Sequence, residues 1–207
     1  DTPVNEEIVH LTLLQNKNPK SILILGGGLG GVLKEVLKYK IDEIDYVELD
    51  PIIIKLAEKY VSQPVDSRLK IYATDGRLFI NTTKKKYDVI LINLPDPTTA
   101  LLNRFYTYEF FAKCKGLLKK GGVFSIHLST SESYMGTELR ELNASIYKTL
   151  NEVFPVTTVI ASNYNYFYAS NLKNVLSVDR IEFLSRWQGR RIKTFYFQPF
   201  VMRFILS

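Results

Sequence analysis

Short apolar runs alternate with segments of helical spacing along most of the chain. Apolar runs bounded by polar residues or glycine predict strands buried on both faces; they lie at 21–25, 44–49, 69–73, 87–93 and 122–128. Apolar residues at helical spacing predict helices between these strands; they lie at 30–39, 51–61, 75–82 and 104–118. The alternation predicts an α/β fold, a Rossmann-like doubly wound sheet.

The second half of the pattern completes this sheet. A longer helix is predicted over 134–151, followed by strands at about 156–161 and 165–170. Because only a short turn separates the last two strands, we expect them to be antiparallel. The prediction is a seven-stranded sheet whose last strand lies at the edge and runs antiparallel to the others.

Two flanking segments depart from the alternating pattern. Residues 1–20 form an amphipathic lead-in with a helix predicted over 4–14, and residues 21–170 hold the Rossmann-like domain. Residues 171–207 form a basic, aromatic extension with a short helix near 178–187. The extension ends without a capping signal, so we expect the chain to be a fragment of a longer protein.

Composition narrows the class of protein. The chain has 207 residues, 46% hydrophobic and 23% charged, which is an ordinary globular composition. No apolar stretch approaches the roughly 20 residues needed to span a membrane, and no signal peptide is visible. Cys114 is the single cysteine, so we expect neither a disulfide framework nor a metal cluster. A cytoplasmic or cytoplasm-facing domain is therefore expected.

The positive charge is concentrated at one end. Of the net charge of +6, residues 171–207 contribute +5, from seven cations against two acids. The nearly neutral remainder argues against a nucleic-acid partner. The basic end is expected to meet phosphates or an anionic membrane surface, or to be a solvated, partly frayed terminus.

A glycine-rich loop follows the first strand and precedes a helix. Residues 24–31 read Ile-Leu-Gly-Gly-Gly-Leu-Gly-Gly, and the cofactor-binding candidates within them are Gly26, Gly27, Gly28 and Gly30. Glycines let the backbone approach a ligand, and the helix N-terminus adds N–H donors. Glu48 ends the second strand, 20 residues beyond Gly28. A carboxylate at this position can accept hydrogen bonds from both ribose hydroxyls. Tight strand–helix packing is the alternative explanation for the glycines.

Two further strand ends carry polar residues. Asp75-Gly76 follows the third strand, and Asn93 to Pro97 follows the fourth. In such sheets the ligand lies at the switch between the first and fourth strands. Asp75 is placed to accept a hydrogen bond from an adenine amino group, or to cap the helix that follows, and both roles can hold together. No Gly-Lys-Ser/Thr motif follows the loop and no basic residue lies beside it. An adenosyl thioether or sulfonium therefore fits better than a pyrophosphate.

These motifs resemble those of the spermidine synthase (polyamine aminopropyltransferase) family, which shares the fold of the class I S-adenosylmethionine methyltransferases. The motifs that carry the resemblance are residues 22–60, Asp75-Gly76 and Asp96-Pro97. Further matches begin upstream, at Glu6, His10 and Asn18-Pro19-Lys20, and the resemblance extends to about Ser170. Residues 94–111 resemble a bacterial branch in which this domain is joined to a membrane-spanning portion.

The resemblance implies a transferase of polyamine biosynthesis. Its donor would be decarboxylated S-adenosylmethionine, its partner a small-molecule amine, and no metal is implied. By matching positions, Glu48 would hold the ribose, Asp75 the adenine, the glycine loop the methionine-derived chain and Asp96 the amine. A homodimer and proximity to a membrane are also implied.

The chain departs from the family pattern where the amine binds. The first acid of the family's Asp-x-x-Asp-Pro motif, the proposed general base, corresponds to Asn93, and the loop acid corresponds to Leu29. Asn5 stands where a histidine is expected. A polyamine nitrogen has a pKa of about 10, so it must lose a proton before it attacks carbon. An amide cannot take that proton, which leaves Asp96 as the substitute base and Asn93 as its neighbour.

Two other functions stay open. Asn93-Leu94-Pro95-Asp96 resembles the Asn-Pro-Pro-Tyr motif of amino-methyltransferases, which favours an S-adenosylmethionine-dependent methyltransferase. The lost base favours a binding module that senses a nucleoside or a polyamine without catalysis. His127, at the end of the fifth strand, either lines the pocket or is a satisfied structural histidine, and we expect the latter.

Overall fold

The computed structural model describes residues 2–60, 66–131 and 136–206. Its strands form one seven-stranded sheet in the order β3-β2-β1-β4-β5-β7-β6. The strands are β1 Ser21–Leu25, β2 Glu43–Glu48, β3 Leu69–Ala73, β4 Tyr87–Ile92, β5 Leu118–Ser129, β6 Val156–Ala161 and β7 Tyr164–Ser170. Strands β1 to β5 pair in parallel, and β7 is antiparallel to both β5 and β6.

The predicted doubly wound α/β fold is confirmed, and so is the antiparallel last strand. The prediction that this strand forms the edge is wrong, because β7 lies between β5 and β6. A short turn fixes the direction of a hairpin but not the side on which it joins the sheet. The edge strand is therefore β6.

The helices flank this sheet. They are α1 Thr2–Leu13, α2 Val32–Val36, α3 Pro51–Tyr60, α4 Gly76–Thr82, α5 Ala100–Asn103, α6 Tyr108–Leu117, α7 Thr137–Val153, α8 Arg180–Arg190 and α9 Pro199–Ile205. The helix predicted over 104–118 is confirmed as α6, but it is shorter: Thr107 caps its start by accepting a hydrogen bond from the Phe110 N–H, and β5 already begins at Leu118. Helix α9 was not predicted. Parts of the helices predicted over 51–61 and 134–151 lie outside the described residues.

Both faces of the sheet are buried at its centre, whereas the edge strand β3 is partly exposed. Ile22 and Ile24 of β1 pack into one apolar layer with α1 and α2, whereas Leu23 and Leu25 pack into the other with α4, α6 and α7. This alternation follows from the two-residue period of a strand. It explains why residues 22–25 of β1 and 89–92 of β4 appear as uninterrupted apolar runs in the sequence.

The strand order of the sheet reverses at β1. Strands β2 and β3 follow on one side of it, and β4 and the later strands lie on the other. Leu25 is in register with Val47 of β2 and with Ile92 of β4. Two hydrogen bonds continue the pairing beyond β1: Gly26 N–H donates to Val47 O and Asn93 N–H to Leu25 O, both at 2.9 Å. The carboxyl ends of these three strands therefore meet at one place.

Helix α1 is tied to the C-terminal segment by a buried carboxylate. Glu6 is 1% exposed, and its carboxylate accepts hydrogen bonds at 2.7 Å from the backbone N–H groups of Phe195, Tyr196 and Phe197. Arg186 and Arg190 of α8 donate to the carbonyls of residues 14–17. A solvated, frayed terminus is thus wrong for these residues. The division into a lead-in, a domain and an extension stays a prediction.

Across the part of the chain that the structure describes, no helix combines the length and the apolar character needed to cross a membrane.

We expect Glu6→Gln to detach the C-terminal segment. Glutamine keeps one acceptor oxygen, loses the charge and turns an NH₂ toward backbone N–H donors, so unfolding should cost about 3 kcal/mol less. Urea denaturation measures the loss, and amide hydrogen exchange at residues 195–197 locates it. Glu152→Gln, an exposed change on α7, is the matched control. Unchanged protection at 195–197 in Glu6→Gln would show that the carboxylate does not hold the segment.

Candidate active site

A cleft of about 770 Å³ opens where the carboxyl ends of β1, β2 and β4 meet. We call it the main cleft. Six of the residues predicted from the sequence line it: Gly26, Gly27, Gly30, Glu48, Asn93 and Asp96. Asp75 and Gly76 instead line a small apolar cavity of about 80 Å³ that adjoins the main cleft at Gly26 and Leu94. Eight of the nine predicted residues therefore line two adjoining spaces, and Gly28 lines neither.

The first glycines of the loop are required by packing. Gly26 and Gly27 have φ values of +72° and +58°, a left-handed backbone that side chains disfavour. A Cβ on Gly27 would lie 2.7 Å from the Asn93 carbonyl oxygen, and one on Gly28 would lie 2.6 Å from the Tyr46 ring. Gly28 is buried beneath Tyr46 and does not line the main cleft.

Gly30 differs from these glycines. A Cβ there would meet no atom within 4 Å, and the residue lines the main cleft. Packing within the protein therefore gives no reason for a glycine at this position. Close approach of a ligand would explain the glycine, because a backbone without a side chain admits a group that a methyl would exclude.

Glu48 and Tyr46 connect the second strand to the glycine loop. Glu48 is 8% exposed, and its Oε2 accepts a hydrogen bond from the Tyr46 hydroxyl at 2.6 Å. That hydroxyl in turn accepts from the Gly28 N–H at 3.2 Å. Burial, reinforced by Glu48, raises the pKa of Tyr46 and keeps it a donor. The sequence analysis missed Tyr46, although it stands two residues before the acid and so on the same face of the strand.

Asp75 has both of its carboxylate oxygens engaged. Oδ1 caps α4 by accepting from the N–H groups of Arg77 at 2.8 Å and Leu78 at 3.1 Å. Oδ2 accepts from the guanidinium of Arg104. Burial opposes its charge, yet the hydrogen bonds from Leu78 and Arg104 lower the pKa of Asp75. An adenine amino group would have to share Oδ2 with Arg104, a residue that the sequence analysis missed.

The loop after β4 is held rigidly beside the glycine loop. The Tyr106 hydroxyl donates to the carbonyls of Pro95 at 2.7 Å and Leu94 at 3.2 Å. The Ser129 N–H, at the end of β5, donates to Asp96 Oδ1 at 3.1 Å. Oδ2 of Asp96 makes no hydrogen bond within the described residues. One oxygen is thus fixed and the other is available to a ligand in the main cleft.

His127 is not a satisfied structural histidine, so that expectation is wrong. It lines the main cleft, and its buried Nδ1 has no hydrogen-bond partner in the described ranges. The Tyr164 ring packs edge-on against it, 5.0 Å between centroids. Burial lowers the pKa of His127 to about 4, so the imidazole is neutral at pH 7.

The two remaining departures from the family pattern also contact this region. Leu29 is 7% exposed and lines the main cleft while packing into the apolar layer below. Asn5 of α1 donates from Nδ2 to the Gly30 carbonyl at 2.9 Å. Leu29 removes a charge from the cleft, and Asn5 supports the loop from behind.

Glu6, His10 and Glu35 bring carboxylate and imidazole atoms within 4.8 Å of one another, as metal ligands would. Each of them already has partners in the protein. His10 Nδ1 lies 2.8 Å from the Tyr39 hydroxyl and Nε2 3.1 Å from Glu35, while Lys38 pairs with Glu35 at 2.5 Å. Burial lowers the pKa of His10 despite Glu35. This group is a buried hydrogen-bond network between α1 and α2.

Comparison with known proteins settles the family. A family model described as the spermine/spermidine synthase domain matches residues 2–180. The chain belongs to this family. A curated relative from Saccharolobus islandicus, named polyamine aminopropyltransferase, is 41% identical over 161 residues, which are 72% of this chain and 51% of the relative. The chain spans about half the length of the curated relatives it matches.

Solved structures agree with the fold. A spermidine synthase in complex with the transition-state analogue AdoDATO superposes with a TM-score of 0.80 at 27% identity, over 100% of this chain and 72% of that one. Human methyltransferase-like protein 13 in complex with SAH superposes with a TM-score of 0.68 at 23% identity, over 91% and 88%. The predicted family and the methyltransferase-type fold are confirmed, whereas the fused membrane portion stays a prediction.

We expect His127 to make the protein less stable as the pH falls. Its folded pKa of about 4 lies below the unfolded value of about 6.5, so the unfolded chain binds the proton first. Stability from this group is complete above pH 6.5 and declines toward pH 4, by about 3 kcal/mol at most. His127→Gln should lose less stability over that window in denaturation measured at pH 7, 5.5 and 4.5. Parallel curves for the two proteins would contradict the burial of a neutral imidazole.

Proposed function

We propose that this domain binds decarboxylated S-adenosylmethionine in the main cleft and transfers its aminopropyl group to a small amine. One observation carries the proposal: Glu48, the open Gly30 position and Asp96 line the same cleft. One ligand in this cleft could therefore place its ribose at Glu48, approach the backbone at Gly30 and present an amine to Asp96. Family membership and the relatives named polyamine aminopropyltransferase support the choice of reaction.

The nucleoside half of the main cleft fits an adenosyl group. Glu48 is held by Tyr46 and retains lone pairs for the ribose hydroxyls. The small cavity beside Asp75 and Gly76 is apolar and would take the adenine ring, with the amino group sharing Asp75 with Arg104. Gly30 would face the methionine-derived chain. No phosphate-binding cation lines the main cleft among the residues described.

The amine half of the main cleft supplies one carboxylate. When bound, the sulfonium donor supplies an electrophilic carbon; the amine nitrogen bonds to it, the carbon–sulfur bond breaks, and a thioether leaves. Asp96 would attract the ammonium form and accept its proton through Oδ2, while the Ser129 N–H holds Oδ1 in place. His127, being neutral, would orient the amine without repelling it.

A second candidate function is nucleoside binding without efficient transfer. Asn93 contacts the glycine loop with its amide, and Leu29 presents an apolar side chain to the main cleft. The amine half therefore lacks two charges that would hold and deprotonate a polyamine. Methyl transfer from S-adenosylmethionine is a further alternative, since an asparagine carbonyl accepts a hydrogen bond from a planar NH₂ group.

The remaining expectations stay predictions. They are a homodimer, proximity to a membrane through a fused portion, and a cytoplasmic or cytoplasm-facing location.

We expect Gly30→Ala to weaken nucleoside binding without loss of stability. The added methyl meets open space in the protein but occupies the main cleft, so the Kd for methylthioadenosine should rise at least about tenfold, or ~1.4 kcal/mol. Gly116→Ala, whose Cβ also meets open space but on α6, is the matched control. Calorimetry gives both affinities. Equal affinity in the two variants would place the ligand away from the loop.

We expect Asp96 to carry the transfer step. With decarboxylated S-adenosylmethionine and putrescine, Asp96→Asn should lower the rate of polyamine formation by about 10²–10⁴-fold, and Asn93→Asp should raise it above that of the unmodified chain. Asp42→Asn, an exposed change before β2, is the control and should have no effect.

The same assay separates the alternatives. Absence of transfer in all variants, with methylthioadenosine still bound, would replace the transferase with the binding module. Label transferred from S-adenosylmethionine but not from its decarboxylated form would indicate the methyltransferase.

A further inference from the structure

A second cleft, of about 760 Å³, lies at the opposite ends of the strands from the main cleft. Lys17 comes just before β1 and Lys40 just before β2, so this cleft is at the amino ends of the sheet. Helix α8 forms its other wall. Six cations line it: Lys17, Lys38, Lys40, Arg186, Arg190 and Arg191. We call it the basic cleft.

The positive charge of the basic cleft is only partly neutralised. Glu182 pairs with Arg186 and also attracts Lys17, and Glu35 and Glu6 both pair with Lys38. Lys17, Lys40, Arg190 and Arg191 make no ion pair within the described ranges. Like charges gathered around a concave surface repel one another and focus a positive potential, which an anion relieves.

Two arginines of the basic cleft are held in place before any ligand arrives. Arg190 donates from Nη2 to the carbonyls of Asn16 at 2.7 Å and Lys17 at 3.0 Å, and its guanidinium lies 5.2 Å from the centre of the Tyr39 ring. Burial and the neighbouring Arg186 lower the pKa of Arg190. Nε and Nη1 of Arg190 make no hydrogen bond within the described residues. A fixed guanidinium with unused donors is suited to phosphate oxygens.

Arg186 is also held in place by backbone carbonyls. Its Nη1 donates to the Leu14 and Gln15 carbonyls, so α8 is pinned across the C-terminal end of α1. Three segments distant in sequence thus bring their cations to one concavity. The ends of Lys40 and Arg191 are not used in this anchoring and remain for a ligand.

We propose that the basic cleft binds a ligand carrying two or more phosphate groups. Its volume falls within the range of small-molecule sites, about 300–1,000 Å³, and the cations that lack an acid partner suit several negative charges better than one. The main cleft and the basic cleft share no lining residue. This proposal therefore holds or fails separately from the proposed transferase activity.

The test uses inorganic tripolyphosphate as the probe, with affinity measured by calorimetry. Lys40→Ala/Arg191→Ala removes two cations that make no ion pair in the structure, and we expect at least a tenfold rise in Kd. Lys113→Ala/Lys148→Ala removes the same charge from α6 and α7 on the other face of the sheet and should leave Kd unchanged. Thermal unfolding checks that both double variants are folded.

Three further results decide the proposal. No binding of tripolyphosphate, or equal weakening in both double variants, overturns it, because general attraction to a basic protein would then suffice. Vesicles with and without cardiolipin, a lipid whose headgroup carries two phosphates, distinguish a lipid headgroup from a free phosphate: if the anionic vesicles bind and the cleft variant abolishes that binding, the headgroup is the source. A 20-base-pair DNA duplex that binds more tightly than either, with the same dependence on the cleft variant, would replace the proposal with a nucleic-acid site.

Discussion

The parallel register of β1 with both β2 and β4 is the constraint on which the site depends. It places Leu25 opposite Val47 and Ile92, and the hydrogen bonds of Gly26 and Asn93 extend it by one residue beyond the strand. With no room for a Cβ at Gly27, the two loops close directly onto one another. Glu48 and Asn93 then face one cleft without any contact between their side chains being required.

Helix α1 links this cleft to the rest of the chain through polar contacts. Asn5 supports the glycine loop, Glu6 holds the C-terminal segment, and Glu7 accepts hydrogen bonds from Ser162, Asn163 and Tyr166 beside the β6–β7 hairpin. Burial raises the pKa of Glu7. Buried carboxylates are tolerated because each has several donors, and such networks fix one arrangement of the elements around them.

The chemistry of the main cleft is asymmetric. The half proposed for the nucleoside contains Glu48, held by Tyr46, and the open Gly30 backbone. The half proposed for the amine contains one carboxylate, an amide, a leucine and a neutral histidine. The composition of the main cleft suits the adenosyl group of the proposed donor, but the cleft has little negative charge with which to hold a polycation. In the proposed reaction, Asp96 and His127 would therefore decide which amine is accepted.

The sequence by itself determined the strands, the glycine loop, the acid at the end of β2 and the family, because each depends on local periodicity or on residues adjacent in the chain. It could not place β7 inside the sheet, since a hairpin's local geometry is the same on either side. Nor could it find Tyr46 and Arg104, or decide between the two interpretations of His127, because their roles depend on neighbours in space. The basic cleft is the clearest case: its cations come from three separate segments, and only the docking of α8 on α1 brings them together.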